Sequence, residues 1–221
     1  MKVLIDINHP AHVHFFRFPA LQLEAAGHEC IFTSREKDVT QQLLQELGFR
    51  HRCLSSMGGG MLSLAKELVS RNYALWRVVR EERPQVMLAI GGTFIAHVGF
   101  LTRVPALVFY DTENARLQNL ITYPLAREVI VPDCYDAWLP RRHRRYRGYH
   151  ELSYLHPTRF QPDLAQARAA GLDSTGDVFM VRLVSWQANH DRPSLASYSR
   201  RTCLCGQTIH AYIYIYIYIY I

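Results

Sequence analysis

Six strand-length apolar segments alternate with helix-length amphipathic ones between residues 2 and 131, and this alternation limits the available folds more than any other feature of the chain. Residues 2–7 form a short apolar run closed by Asn8-His9-Pro10, and residues 15–26 then carry Phe16, Leu21, Leu23 and Ala25 in a helical segment that stops at Gly27. The unit recurs. A strand over 28–33 precedes a helix over 38–47 (Val39, Leu43, Leu44, Leu47) that Gly48 ends, and 49–54 supplies a third strand. After Ser55-Ser56-Met57-Gly58-Gly59-Gly60 comes a long helix over 62–83, ended by Pro84 before the buried-type strand 86–90. Gly91-Gly92-Thr93 turns the chain into a helix over 94–102, a strand over 106–110, a helix over 117–125 and a sixth strand over 128–131. Such an order specifies an α/β, Rossmann-like domain whose mainly parallel sheet carries helices on both faces.

The 221 residues suffice for one such core and a remnant. The Rossmann-like domain is expected over 1–147. A connector and the start of an incomplete second domain follow over 148–191, with a helix over 162–170 and a lone strand over 178–185. A lone strand cannot bury its faces, so it should be poorly ordered or borrow pairing from elsewhere. From 192 to 221 the composition breaks: Arg192, Arg200 and Arg201 lie in a stretch without an acid, and the end is Tyr-Ile repeated five times. A TA dinucleotide repeat read in frame encodes that string, so 192–221 reads as a frameshift tail, the alternative being an edge strand.

The three arginines of that tail account for half of the net charge of +6. The remaining basic density is Arg141-Arg142-His143-Arg144-Arg145-Tyr146-Arg147, read as a solvated surface turn in preference to a phosphate or nucleic-acid footprint because no base-stacking aromatics are interleaved. Asp6 interrupts the opening apolar run, which excludes a signal peptide or membrane span there, and no later segment is long and apolar enough to span. The five cysteines match neither a zinc spacing nor a disulfide framework, so a reducing cytoplasm is expected.

In an open parallel sheet, ligands gather at the carboxyl ends of the strands. After the first strand stand Asn8, His9, His12 and His14; an imidazole near a helix start suits a general base, with His12 ahead of His9, and the competing role is capping of the loop. His12 and His14 alternate as metal ligands would, yet nothing completes the set, so no metal is expected. Gly58-Gly59-Gly60 lacks a P-loop ending and serves equally as a mobile loop. Gly91, Gly92 and Thr93 are better placed as an anion or sugar cradle, or as a tight packing turn. Asp111 and Glu113 follow the fifth strand and either bind sugar hydroxyls and orient a base or cap a helix.

Taken together, residues 6–16, Thr33-Ser34-Arg35-Glu36-Lys37-Asp38, Asp111-Thr112-Glu113, residues 151–157 and residues 181–191 resemble the prokaryotic family known as domain of unknown function 354, over about 1–191. That family resembles the GT-B glycosyltransferases and the nucleotide-sugar 2-epimerases. The resemblance implies that the N-terminal Rossmann-like half holds the acceptor and a second half most of the nucleotide-sugar donor, here cut short, so that the fragment is expected to be inactive. Arg182, Trp186, His190 and Asp191 match the second-domain motif. With the polar residues clustering at one sheet edge, the leading reading is transfer from a nucleoside-diphosphate sugar to a sugar or lipid-linked hydroxyl acceptor, with catalysis by His12 and Asp111, binding by Asn8, His9, Gly91, Gly92, Thr93 and Glu113, and no separate cofactor. The alternatives are a 2-epimerase using the same loop and a non-catalytic anion-binding module resting on residues 141–147. The sequence does not give the oligomeric state.

Overall fold

The computed structural model describes residues 1–36, 39–56, 61–169, 171, 180–185 and 211–216. By contact the chain divides into a unit Met1–Phe160 and a unit Gln161–Ile221. The first is a seven-stranded, wholly parallel sheet in the order β3-β2-β1-β4-β5-β6-β7. Its strands are β1 (Lys2–Ile7), β2 (Glu29–Glu36), β3 (His51–Ser56), β4 (Val86–Ile90), β5 (Ala106–Phe109), β6 (Glu128–Pro132) and β7 (His143–Tyr146). The joining helices are α1 (Pro10–Ala25), α2 (Thr40–Glu46), α3 (Met61–Glu82), α4 (Thr93–Thr102) and α5 (Arg116–Thr122).

The central strand shows why the sequence reads as apolar runs. β1 is flanked by β2 and β4, and Val3 through Ile7 are all buried. Its side chains alternate between two cores: Val3, Ile5 and Ile7 pack with Val13 and Phe16 of α1 and Leu44 of α2, while Leu4 packs with Leu75 of α3 and Ile95 of α4. Covering both faces removes the polar-out phase of a one-sided strand. Each fully buried Leu, Ile or Phe contributes about 1.5–3 kcal/mol, so these two layers dominate the stability of the unit.

The structure corrects several expectations. α1 begins at Pro10, not Phe15, because proline at the first helical turn needs no amide partner and His9 caps the helix, its Nδ1 accepting from the Ala11 N–H at 3.1 Å. His12 and His14 therefore stand on the helix and not in a loop. The arginine cluster is not a turn. Residues 143–146 form β7, paired in parallel with β6, with Arg144 Nε donating to Glu128 Oε1 at 3.1 Å and Arg145 donating to the carbonyls of Asp133 and Tyr135, each at 2.8 Å. A charged edge strand discourages pairing with a further chain. Residues 150–155 fold back within the first unit, with α6 (Leu152–Leu155) against α1.

In the second unit, α7 (Leu164–Ala169) is exposed, and β8 (Met180–Ser185) pairs antiparallel with β9 (Ala211–Tyr216), within the Tyr-Ile repeat, in the register Met180 to Tyr216 and Ser185 to Ala211. The strand expected to stand alone borrows its pairing from the tail. The Gly58-Gly59-Gly60 loop and the residues Trp186, His190 and Asp191 lie outside the described residues.

Candidate functional site

The strand order reverses between β1 and β4, where the chain leaves one strand toward β2 and the other toward β5. Backbones separate there beyond the carboxyl ends, opening the crevice in which sheets of this kind take ligands. Register fixes which residues meet it. Asp6 pairs with Ala89 and Ile90 with Phe109, so the next positions, Asn8, Gly91 and Tyr110, stand abreast at the edge. At the usual strand spacing they span about 10 Å.

On the β1 side, the polar groups rest on a buried charge. Asp6 and Arg71 of α3 are fully buried and pair at 2.8 Å. Asp6 also accepts from Thr33 Oγ1 at 2.7 Å and from Asn8 Nδ2 at 3.3 Å. Arg71 donates to Ser55 Oγ at 3.1 Å and lies over the Phe94 ring, 4.6 Å from its centroid. Ser55 reaches Glu67, which pairs in turn with Arg35. Neither charge of the Asp6–Arg71 pair is solvated, so each depends on the other and on these bonds. Asn8 is thereby tied to the sheet. His12 is half-buried, its Nδ1 3.4 Å from the Asn8 N–H and its ring 5.9 Å from that of His9. His14 turns elsewhere, its ring 5.5 Å from that of Tyr154, so His12 and His14 do not bracket a metal position. Among the described residues no group of three or more His, Cys, Asp or Glu is placed to hold a metal ion.

Between β4 and α4, both readings of the glycine turn find support. Gly91 has φ +70°, and a Cβ there would lie 2.7 Å from Gln118 Nε2; a Cβ on Gly92 would lie 2.4 Å from Val108 Cγ1. The close approach thus requires glycine for packing. The Gly91 carbonyl accepts from Tyr110 Oη at 2.8 Å, Gln118 Nε2 at 2.7 Å and Thr93 Oγ1 at 3.3 Å, which holds the turn against β5 and α5. Thr93 is buried and also shares a 2.9 Å bond with Thr122 Oγ1, so its hydroxyl is committed inside the protein. Gly92, the N-cap of α4, supplies no side-chain cap, which leaves the first helical amides to other acceptors.

On the β5 side, Asp111 retains 42% exposure and receives Thr112 Oγ1 at 3.0 Å. Its other oxygen lies 3.0 Å from Nδ1 of His150, a buried residue from the fold-back segment. The contact is close but falls short of an aligned hydrogen bond. With the imidazole beside it, the Asp111 carboxyl is held below its ordinary value of 3.8, against the opposing effect of burial. Glu113 Oε1 accepts the Asp136 N–H at 2.8 Å, and α5 starts from Ala115 without a side-chain cap, so neither acid caps that helix. Burial pushes the hydroxyls of Tyr110, Tyr123 and Tyr146 up from the ordinary phenol value.

The sequence reading missed Tyr110, Gln118 and His150. Tyr110 was legible as the last residue of the fifth strand; His150 carried no local signal, because its partner is remote in the chain. Two surface depressions of about 590 and 620 Å³ lie away from this edge, one beside Met1, Glu29 and Gln85 at the opposite ends of the strands and one between α3 and α4.

The model of the family described as "Protein of unknown function (DUF354)" matches residues 1–161. The chain belongs to that family. An uncharacterized protein of Methanocaldococcus jannaschii is 27% identical to this DUF354 chain over 136 residues, which are 62% of the chain and 40% of the relative. The chain thus spans well under half the length of the relative it matches. Among solved structures, Acinetobacter baumannii MurG aligns with a TM-score of 0.51 at 14% identity, covering 63% of this chain and 44% of MurG. A Neisseria meningitidis UDP-GlcNAc 2-epimerase bound to UDP-GlcNAc aligns at 0.49 and 14% identity, over 59% and 40% of the two chains. The MurG likeness is one of fold: the first unit of the DUF354 chain is a Rossmann-like domain of the kind found in GT-B glycosyltransferases. No helix among its described residues is long and apolar enough to cross a membrane.

Proposed function

We propose that the DUF354 unit is the acceptor-side half of an enzyme that transfers a sugar from a nucleoside diphosphate to a hydroxyl. The observation that carries this reading is the register that brings Asn8, Gly91 and Tyr110 abreast where the strand order reverses, beside the amides of α4 that no side chain caps. His12 acts as general base: it takes the proton of the acceptor hydroxyl, the oxygen attacks the anomeric carbon, and the carbon–oxygen bond to the diphosphate breaks with the electron pair leaving on the diphosphate. For that step Nδ1 of His12 exchanges its 3.4 Å contact with Asn8 for the substrate proton, or Nε2 carries the lone pair in the other tautomer. Asn8, His9 and Asp111 hold acceptor hydroxyls, the Gly91-Gly92-Thr93 backbone receives a sugar or anionic oxygen, and Glu113 fixes the neighbouring turn. The donor binds chiefly outside this unit.

The anion-module alternative is disfavoured because Arg144 and Arg145 are engaged with Glu128 and two carbonyls. The test is product analysis by mass spectrometry with the longer Methanocaldococcus jannaschii relative and a panel of nucleotide sugars and hydroxyl acceptors. A glycoside with release of nucleoside diphosphate supports the reading; an epimerised nucleotide sugar, or no consumption of any donor, contradicts it.

A further inference from the structure

We propose that His150 is a positioning residue that fixes Asp111 as an ionised, hydroxyl-binding carboxylate and thereby separates its role from that of the base, His12. The proposal rests on the acceptor reading above and adds a residue that no motif assigned.

The geometry layers the two groups. Asp111 is partly exposed at the sheet edge, whereas His150 is 5% exposed and lies behind it, with Nδ1 3.0 Å from Oδ2. Three rings hold the imidazole: Phe15 of α1 at 4.6 Å, Phe109 of β5 at 6.5 Å and Tyr146 of β7 at 6.2 Å, the last parallel to within 5°. Elements distant in sequence therefore converge to lock one histidine. Neither His150 nitrogen makes an aligned hydrogen bond, and the polar group near the ring is the Asp111 carboxylate, 3.0 Å from Nδ1. Tyr146 is the further titratable group on the ring, and its phenol stays neutral because burial pushes it up. A carboxylate stabilised from behind is a poor proton acceptor and a good hydrogen-bond acceptor, which suits orientation of a sugar hydroxyl. It also explains the fold-back of residues 150–155 onto α1, which delivers His150 to the edge.

The test uses the full chain, N-acetylglucosamine as the hydroxyl-bearing probe, and NMR of ¹³C-labelled aspartate. Two variants separate the roles: His150→Asn keeps an amide nitrogen facing Asp111, and His150→Phe keeps the ring and removes it. Wild type and His150→Asn are expected to bind the probe alike, while His150→Phe loses about tenfold or more, the order expected when a charged group loses its polar neighbour. The Asp111 carboxyl should titrate below the ordinary aspartate range in wild type and rise in His150→Phe. Equal affinity in His150→Phe, loss in His150→Asn matching that in His150→Phe, or a wild-type protein that does not bind the probe overturns the proposal. If His150→Phe does not fold, the wild-type Asp111 titration and Asp111→Asn decide: an ordinary titration, or unchanged probe affinity in Asp111→Asn, overturns it. Dependence of probe binding on His150 combined with no transfer product from the longer relative would defeat the transferase reading and leave this one standing.

Discussion

The two halves of the carboxyl edge are built in opposite ways. On the β1 side the charges are sunk: Asp6 and Arg71 have no exposure and are tied to Thr33, Asn8 and Ser55. On the β5 side the charge is left at the surface: Asp111 is partly open to solvent and is fastened from behind by a buried imidazole set among aromatic rings. A fully buried ion pair holds a frame, because neither partner can reach a ligand. A half-exposed carboxylate backed by a fixed histidine can meet one.

The sharpest way to break this contrast is to cut the buried pair. Arg71→Met leaves Asp6 uncompensated and should cost about 3–5 kcal/mol in urea unfolding, most of it recovered in the Asp6→Asn, Arg71→Met double variant. A cost below about 1 kcal/mol would mean that the β1 frame does not depend on the pair. His12 stands on the frame side but is assigned to chemistry. The substitution corresponding to His12→Asn in the longer relative should lower turnover about 10²–10⁴-fold with little change in melting temperature. A lower melting temperature with unchanged turnover would move His12 into the frame. Between the halves, Gly92→Ala forces a Cβ to within 2.4 Å of Val108 Cγ1. It should destabilise by about 1–3 kcal/mol, measurable by thermal unfolding.

The smallest effect is on the open half. The Asp111 carboxyl is held below 3.8, so its pairing stabilises the fold above that pH, and the contribution is lost as pH falls through the depressed value. Because the group is partly exposed, the contribution should be under about 1 kcal/mol, seen as a shallower acid-side loss of melting temperature in Asp111→Asn. An unchanged acid limb would remove the distinction drawn for the β5 side.

The contrast also marks what the sequence could disclose. β1 and β4 were legible to the residue because a strand covered on both faces is a continuous apolar run. β7 was not: His143-Arg144-Arg145-Tyr146 lies on an edge, carries no apolar period, and becomes a strand only through pairing with β6. The start of α1 was placed late because Asn8-His9-Pro10 reads as a loop until His9 is seen to cap the helix. At the site, Asn8, Gly91 and Asp111 could be listed from strand ends alone. The commitment of the Thr93 hydroxyl to Thr122 and the pairing of Asp111 with His150 depend on tertiary contacts that no local pattern encodes.

The central claim is that the carboxyl edge of β1, β4 and β5 is where the ligand binds. Backbone chemical-shift mapping of ¹⁵N-labelled protein titrated with N-acetylglucosamine tests it most directly. The shifts should concentrate at Asn8, His12, Gly91, Thr93 and Asp111, and shifts confined to β7 or to the opposite ends of the strands would contradict binding at this edge.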